Sequence, residues 1–185
     1  MKTALRFGFG LLIFWELLGV LGIIPEENDF KWLGLLITAV FAWVVLEQLE
    51  FSSTVWLLTF SMIILDGASA VFLLYSRIDV WDMLMHVFGG FVIGWAAIEI
   101  LDRRIEREPF RNERSAMFVI IGSLLIVIAL GFGYEFLEYI IDRFFFGYPR
   151  TLVSAYDSIE DQLFNILGAL LAASMYAARR RKPIN

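Results

Sequence analysis

The chain has 185 residues, of which 59% are hydrophobic and 16% aromatic, and its formal net charge is -5. Charged residues make up 19% of the chain, below the roughly 25% of a soluble globular domain. The chain contains no cysteine, which excludes disulfides, thiolate metal sites and cysteine nucleophiles. Its acidic balance gives no support for nucleic-acid binding.

Six apolar runs follow one another along the chain, each long enough to cross a hydrocarbon core of about 30 Å. They are separated by proline, glycine and charged segments such as "RRIEREPFRNER", which typically end helices. We therefore predict an all-α polytopic membrane protein, a single domain built as a bundle of six transmembrane helices. The predicted helices cover residues 5–24, 31–50, 55–75, 80–102, 115–142 and 158–178.

The first apolar run, which has a basic start, also has the pattern of a signal peptide. However, Glu16 interrupts the run, and no small-residue cleavage site follows it. We therefore interpret this run as the first transmembrane helix.

Lysine and arginine residues are distributed unequally between the predicted loops, and such a bias sets the orientation of a membrane protein. With the N-terminus inside, eleven of the fifteen basic residues lie on the cytoplasmic side. The four on the outer side are Lys31, Arg77, Arg143 and Arg150. We therefore predict cytoplasmic N- and C-termini and a multi-pass protein of the prokaryotic cytoplasmic membrane.

Acidic residues recur near the predicted outer ends of the last three helices. Depth counted at about 1.5 Å per helical residue places them in one layer of the outer leaflet. Their spacing puts each set on one face of its helix. Charges at such depth are costly unless they are paired or face water, so we predict an inward-facing polar site open to the outside. The sets are Asp82 with His86, then Glu135 with Glu138 and Asp142, and finally Asp157 with Asp161 and Asn165.

Two further acids are candidates for the same polar site: Glu16 on the first helix and Asp66 on the third, both predicted near mid-span. Asp66 is equally compatible with a hydrogen bond to a neighbouring helix. Asp157 begins a helix, where a carboxylate can cap free amides, so a purely structural role is an equal alternative for it. Gly90 and Gly94 form a GxxxG pair, which is typical of close packing between membrane helices.

Several carboxylates with one imidazole and one carboxamide form a hard ligand set. Such sites favour Mg²⁺, Mn²⁺ or Ca²⁺, and a histidine among carboxylates also permits Zn²⁺ or Fe²⁺. A cation would also relieve the repulsion between the carboxylates. We therefore predict a divalent metal ion as cofactor, with His86 or Glu135 as the catalytic base. The predicted metal ligands are Asp82, His86, Glu138, Asp157 and Asp161.

Three motifs stand out in the second half of the chain: D-x-x-x-H-x-x-x-G from Asp82, E-x-x-E from Glu135, and "YDSIEDQLFNILGA" at 156–169. Together they resemble the YjdF-type family of small bacterial and archaeal membrane proteins and, more distantly, VanZ-like proteins, over roughly residues 78–172. The resemblance implies no known activity, but the link of VanZ-like proteins to glycopeptide resistance points to the cell envelope. The family pattern of two aspartates followed by Asn-x-x-Gly-Ala maps onto Asp157, Asp161, Asn165, Gly168 and Ala169.

Three functions stay open at this point, and the sequence indicates no oligomeric state. An enzyme would use the cation to activate water or a hydroxyl against a lipid-linked or cell-envelope substrate. A cation or proton transporter would use Glu16, Asp66 and the outer layer as a pathway, although the cytoplasmic halves of the last three helices are almost purely apolar. A non-catalytic protein that binds membrane lipid or a partner would use the polar layer only to organise its fold.

Overall fold

The computed structural model describes residues 1–23, 29–105, 113–141, 143–144 and 155–180, and the regular structure of these residues is helical. It comprises six long helices and one short one. They are α1 (Lys2–Val20), α2 (Asp29–Gln48), α3 (Ser53–Phe72), α4 (Leu74–Arg77), α5 (Trp81–Ile105), α6 (Glu113–Ile141) and α7 (Ala155–Arg180).

Each predicted apolar run contains one long helix, which confirms the all-helical class, but the ends of the long helices differ from the predicted ones by one to four residues. Helix α1 ends at Val20 rather than near residue 24, and Gly22 just beyond it has the left-handed φ of 68° common after a helix. Helix α3 ends at Phe72 because Leu73 takes a left-handed φ of 54°. The predicted helix 55–75 is therefore divided into α3 and the short α4.

Two of the long helices contain apolar stretches of fewer than 18 described residues. The shorter apolar stretches are 32–48 in α2 and 53–69 in α3. The number of spans and the predicted cytoplasmic termini accordingly stay predictions. Within the described part of the chain, three helices are long and apolar enough to cross a membrane by length and composition, namely Lys2–Val20, Trp81–Ile105 and Ser115–Ile141.

Helix α6 exposes large apolar side chains along its length. Within the described structure Phe118, Leu125 and Phe132 are each 60% exposed. A run of exposed apolar groups of this kind marks a surface made for a lipid or protein neighbour rather than for water. The side-chain distribution therefore agrees with the apolar composition of the helix.

The chain divides into two compact units, residues 1–81 and 82–185, and the expectation of a single domain stays a prediction. In the first unit, α1, α2 and α3 surround an aromatic core. The ring of Phe9 is fully buried, and its centroid lies 5.1 Å from that of Phe60, 5.5 Å from that of Trp56 and 6.3 Å from that of Trp43. The contacts of Phe9 with the two tryptophans are edge-on, and such contacts add to the free energy gained by burying the rings.

Two polar contacts fix the ends of this first unit. The guanidinium group of Arg6 donates two hydrogen bonds, of 2.5 and 2.6 Å, to the carboxylate of Glu47, which ties α1 to α2. The indole N–H of Trp81 donates to the hydroxyl of Ser69 at 2.6 Å, which holds the end of the unit against α3.

Candidate acidic and histidine site

In the second unit, glycines allow α5 and α7 to touch backbone to backbone. A Cβ atom at Gly90 would overlap the carbonyl oxygen of Asn165, and a Cβ atom at Gly168 would overlap the backbone of α5. One turn further, a Cβ atom at Gly94 would lie 3.1 Å from the Cα of Ala169. These pairings increase together in residue number, so the two helices run parallel. The close-packing role predicted for Gly90 and Gly94 is confirmed.

The glycine contact determines which polar side chains meet. His86 precedes Gly90 by four residues, and Asp161 precedes Asn165 by four, so each lies one helical turn from the contact. The Nε2 atom of His86 is 3.4 Å from Oδ1 of Asp161 and 3.6 Å from Oδ1 of Asp82. The parallel packing of α5 and α7 therefore brings one imidazole between two carboxylates.

Asp82, His86 and Asp161 form a facing set of possible metal ligands. One ligand atom from each side chain lies within 4.8 Å of the other two. The side chains of His86 and Asp161 are 16% and 11% exposed, whereas that of Asp82 is 46% exposed. The set is therefore enclosed on the α7 side and open at Asp82.

Helix α6 adds a buried carboxyl group to the same unit. Glu135 is 8% exposed, and its Oε1 atom has no hydrogen-bond partner among the described residues. The carboxyl group interacts electrostatically with those of Asp161 and Glu138. A buried oxygen without a hydrogen-bond partner lowers the stability of the folded protein by about 1–3 kcal/mol. Glu135 is therefore destabilising unless a ligand or a water molecule binds to it.

The other two predicted metal ligands belong to the same electrostatic group. Glu138 interacts with Asp82 and Asp161 as well as with Glu135. Asp157 lies in the first turn of α7 and interacts with Asp161. Asp161 thus interacts electrostatically with carboxyl groups of three helices, namely those of Asp82, Glu135, Glu138, Asp157 and Glu160.

The remaining predicted site residues are placed differently. Asn165 contributes its backbone to the contact with Gly90, and Asp142 lies outside the described residues. Glu16 lies four residues before the end of α1, and its predicted depth near mid-span stays a prediction. Asp66 accepts a hydrogen bond of 2.8 Å from the hydroxyl of Tyr75 in α4. Glu16 and Asp66 belong to the first unit, and their membership of this site stays a prediction.

Sequence reasoning missed a buried amide beside the acids. Gln162 is 5% exposed, its Oε1 has no hydrogen-bond partner among the described residues, and its Nε2 donates weakly at 3.5 Å to the backbone oxygen of Ile128. A Cβ atom at Gly131 would overlap this amide. Gly131 thus makes room for Gln162 between α6 and α7, one turn before Glu135. The only signal in the sequence was the "GFG" at 131–133, and this motif does not indicate that Gly131 faces Gln162.

Sequence reasoning also missed a polar contact toward the other end of α5 and α7. The carboxylate of Asp102 accepts hydrogen bonds of 2.5 Å from the hydroxyl of Tyr176 and 2.5 Å from the guanidinium group of Arg180. The guanidinium carbon of Arg179 lies 4.5 Å from the ring centroid of Trp95. These contacts hold the two helices together at the end opposite the acids.

The helices, their exposed apolar faces and the enclosed acidic cluster together describe a helical membrane protein with a polar site among its helices. The chain belongs to the family described as "Predicted membrane protein (DUF2238)", which matches residues 8–182. This membership agrees with the YjdF-type resemblance and extends it to the first helices, whereas the distant relation to VanZ-like proteins stays a prediction. Neither the curated proteins nor the solved structures contain a significant match.

Proposed function

We propose that this membrane protein holds a divalent cation between Asp82, His86 and Asp161 and uses it on a lipid-linked or cell-envelope substrate. The observation that carries the proposal is the facing set itself, three ligand atoms within 4.8 Å on two helices in backbone contact. The unpartnered Oε1 of the buried Glu135 supports it, because a cation or a water molecule beside that cation would supply the missing partner.

The size of the set bears on the choice of metal. Two oxygen ligands of Ca²⁺, at about 2.3–2.6 Å from the ion, can lie about 5 Å apart on opposite sides of it. For Mg²⁺, at about 2.0–2.1 Å, the corresponding limit is about 4 Å. Ligand atoms up to 4.8 Å apart are therefore within reach of Ca²⁺ as they stand, whereas the smaller Mg²⁺, Mn²⁺ or Zn²⁺ would require the side chains to close around the ion. Glu138 and Asp157 would complete the coordination from α6 and α7.

The surrounding residues suggest how the site would work. A bound cation would act as a Lewis acid toward an oxygen of the substrate or of water. Glu135 would accept a proton from the water or hydroxyl that the cation activates, since Glu135 is buried and its Oε1 has no hydrogen-bond partner among the described residues. His86 would orient the ligand set, with the alternative role of proton acceptor. In the predicted orientation the open side at Asp82 faces the outer leaflet of the prokaryotic cytoplasmic membrane, where lipid-linked envelope precursors are processed.

The first experiment measures the metal. Elemental analysis of the full-length protein, purified in detergent without chelator, should find about one divalent cation per chain. Titration with Mn²⁺ after chelator treatment should then give a saturable isotherm. Asp161→Asn should weaken Mn²⁺ binding by at least about tenfold, since even removal of an outer-shell partner typically costs 10–100-fold.

Glu160→Gln is the matched control. It removes the same negative charge one residue earlier on α7, outside the facing set. Equal weakening by Glu160→Gln and Asp161→Asn would mean that Mn²⁺ responds only to the overall negative charge, and the proposed ligand set would be wrong. Failure of the folded wild-type protein to bind any divalent cation would leave the non-catalytic role as the better interpretation.

A further inference from the structure

A second buried carboxyl group lies in the first unit. Glu16 is 2% exposed, and its Oε2 atom has no hydrogen-bond partner among the described residues. It lies one turn before the end of α1. A carboxylate in this setting is unfavourable by several kcal/mol unless positive charge or hydrogen bonds compensate it.

The charged groups around Glu16 increase this cost. Helix α1 packs against α2 and α3, whose described charged side chains are Glu47 and Asp66. Glu47 is held by Arg6, near the opposite end of α1. Asp66 interacts electrostatically with Glu16 and carries the same charge, so it supplies no compensation. Among the described side chains of α2 and α3, none supplies a positive charge to this pair.

An independent observation points to the same place. The indole N–H of Trp32 in α2 is buried and has no hydrogen-bond partner among the described residues, although the side chain is only 4% exposed. The Trp32 ring packs directly on Gly19, where a Cβ atom would overlap it. Gly19 follows Glu16 by three residues, so the ring and the carboxyl group share one face of α1. The unpaired indole N–H donor of Trp32 and the unpaired carboxyl acceptor of Glu16 are therefore both buried, and they lie beside neighbouring turns of α1.

A hydrated monovalent cation would satisfy both groups. The positive charge would be held by Glu16 and Asp66, while a water oxygen beside the ion would accept the hydrogen bond from Trp32. We propose that Glu16 and Asp66 form a second cation site, in the first unit, that takes a proton or a sodium ion. Neither residue is among the proposed ligands of the divalent cation.

The test uses dicyclohexylcarbodiimide on the full-length protein in detergent, with the modified residue located by mass spectrometry. This reagent modifies carboxyl groups that carry a proton in apolar surroundings. The reaction is run at pH 6 in potassium buffer and again with added sodium. Glu16→Gln should lose the modification, and Glu47→Gln, which removes a carboxylate already paired with Arg6, should keep it. Each variant is checked for folding by its melting temperature.

The outcomes separate the two ligands. Modification of Glu16 that sodium does not suppress identifies a proton site. Suppression by sodium, together with a sodium-dependent rise in melting temperature that Asp66→Asn removes, identifies a sodium site. If Glu16 of the folded wild-type protein is not modified, and neither sodium nor pH changes the melting temperature in a way that Glu16→Gln abolishes, Glu16 is a structural residue and the proposal is wrong.

Discussion

Substitution of Gly168 by alanine tests the contact between α5 and α7 on which the candidate site depends. The added Cβ atom would overlap the backbone oxygen of Val87 and lie 2.6 Å from the nitrogen of Phe91 and 3.0 Å from the carbonyl carbon of Gly90. All three neighbours are backbone atoms, which cannot turn aside as a flexible side chain does. The helices themselves must therefore move apart.

The size of the effect follows from these distances. The contact with Phe91 falls 0.8 Å short of ordinary contact at 3.4 Å, and the overlap with Val87 is larger. Forced shifts of this kind typically cost about 1–3 kcal/mol, occasionally more, against which alanine gains up to about 1 kcal/mol of helix propensity. We therefore expect Gly168→Ala to lower the free energy of unfolding by about 1–2 kcal/mol.

Three other glycines of the same unit provide a graded comparison. Gly90→Ala should resemble Gly168→Ala, since the added atom would meet the backbone of Asn165. Gly94→Ala should cost less, because its closest contacts are 3.1 and 3.3 Å. Gly133→Ala should be neutral or stabilising, because no described atom lies within 4 Å of its Cβ position. Helix propensity alone would favour all four substitutions equally.

The assay is unfolding of the purified protein in mixed detergent, followed by circular dichroism, with Mn²⁺ binding measured on the same samples. Gly168→Ala should lower Mn²⁺ affinity as well as stability, because separation of the helices carries Asp161 away from His86. If Gly168→Ala and Gly133→Ala had the same stability, the described contact between α5 and α7 would be wrong. If Gly168→Ala lost stability but kept its Mn²⁺ affinity, the link between packing and the site would be wrong.

Two further predictions concern the far end of the second unit and the orientation. Asp102→Asn should lower the free energy of unfolding by about 1.5–3 kcal/mol, the usual range for hydrogen bonds to a charged group. Glu99→Gln, which alters a pair with the 37% exposed side chain of Arg103, should change it less. Because the chain has no native cysteine, single cysteines at Lys2 and Arg77 can be labelled cleanly. In intact cells an impermeant maleimide should label Arg77→Cys and not Lys2→Cys, and the reverse result would refute the predicted orientation.

The helices could be predicted from the sequence because apolar runs between charged breaks determine them almost directly. Their ends could not be predicted as well, since nothing in "FLLYS" announces that Leu73 takes a left-handed conformation. That one residue divides a predicted helix and places Tyr75 where it binds Asp66. The end of α1 was likewise predicted four residues too late, near residue 24 instead of at Val20.

Helical spacing also explains how much of the site could be predicted. The four-residue interval puts Asp82 and His86 on one face of α5, and the same interval gives Asp157 and Asp161 on α7. The spacing within one helix does not indicate which helices are in contact, or which residues of the two helices face each other. The contact between Gly90 and Asn165 provides that information. The GxxxG pattern identifies the contact surface on α5 but does not identify its partner on α7.

The interactions at the two ends of α5 and α7 have opposite effects on the packing of these helices. At the N-terminal ends, Asp82, Asp157 and Asp161 bring like charges together, and Glu135 and Glu138 of α6 add two more. Such charges repel one another and favour separation of the helices. The glycine contact and the hydrogen bonds of Asp102 oppose that separation. The acids are therefore held close by packing elsewhere, and not by attraction to one another.

This balance makes a prediction that separates a binding site from a structural polar network. In chelator, Asp161→Asn should leave the protein at least as stable as the wild type, because it removes repulsion from an unoccupied cluster. With saturating Mn²⁺ the order should reverse, since a ligand at 100 times its dissociation constant stabilises the wild type by about 2.7 kcal/mol. A structural network would instead lose stability in both conditions, because Asp161 would be contributing hydrogen bonds in each. Melting temperatures of the two proteins, each with and without Mn²⁺, decide between the two cases, and equal destabilisation in chelator and in Mn²⁺ would refute the cation site.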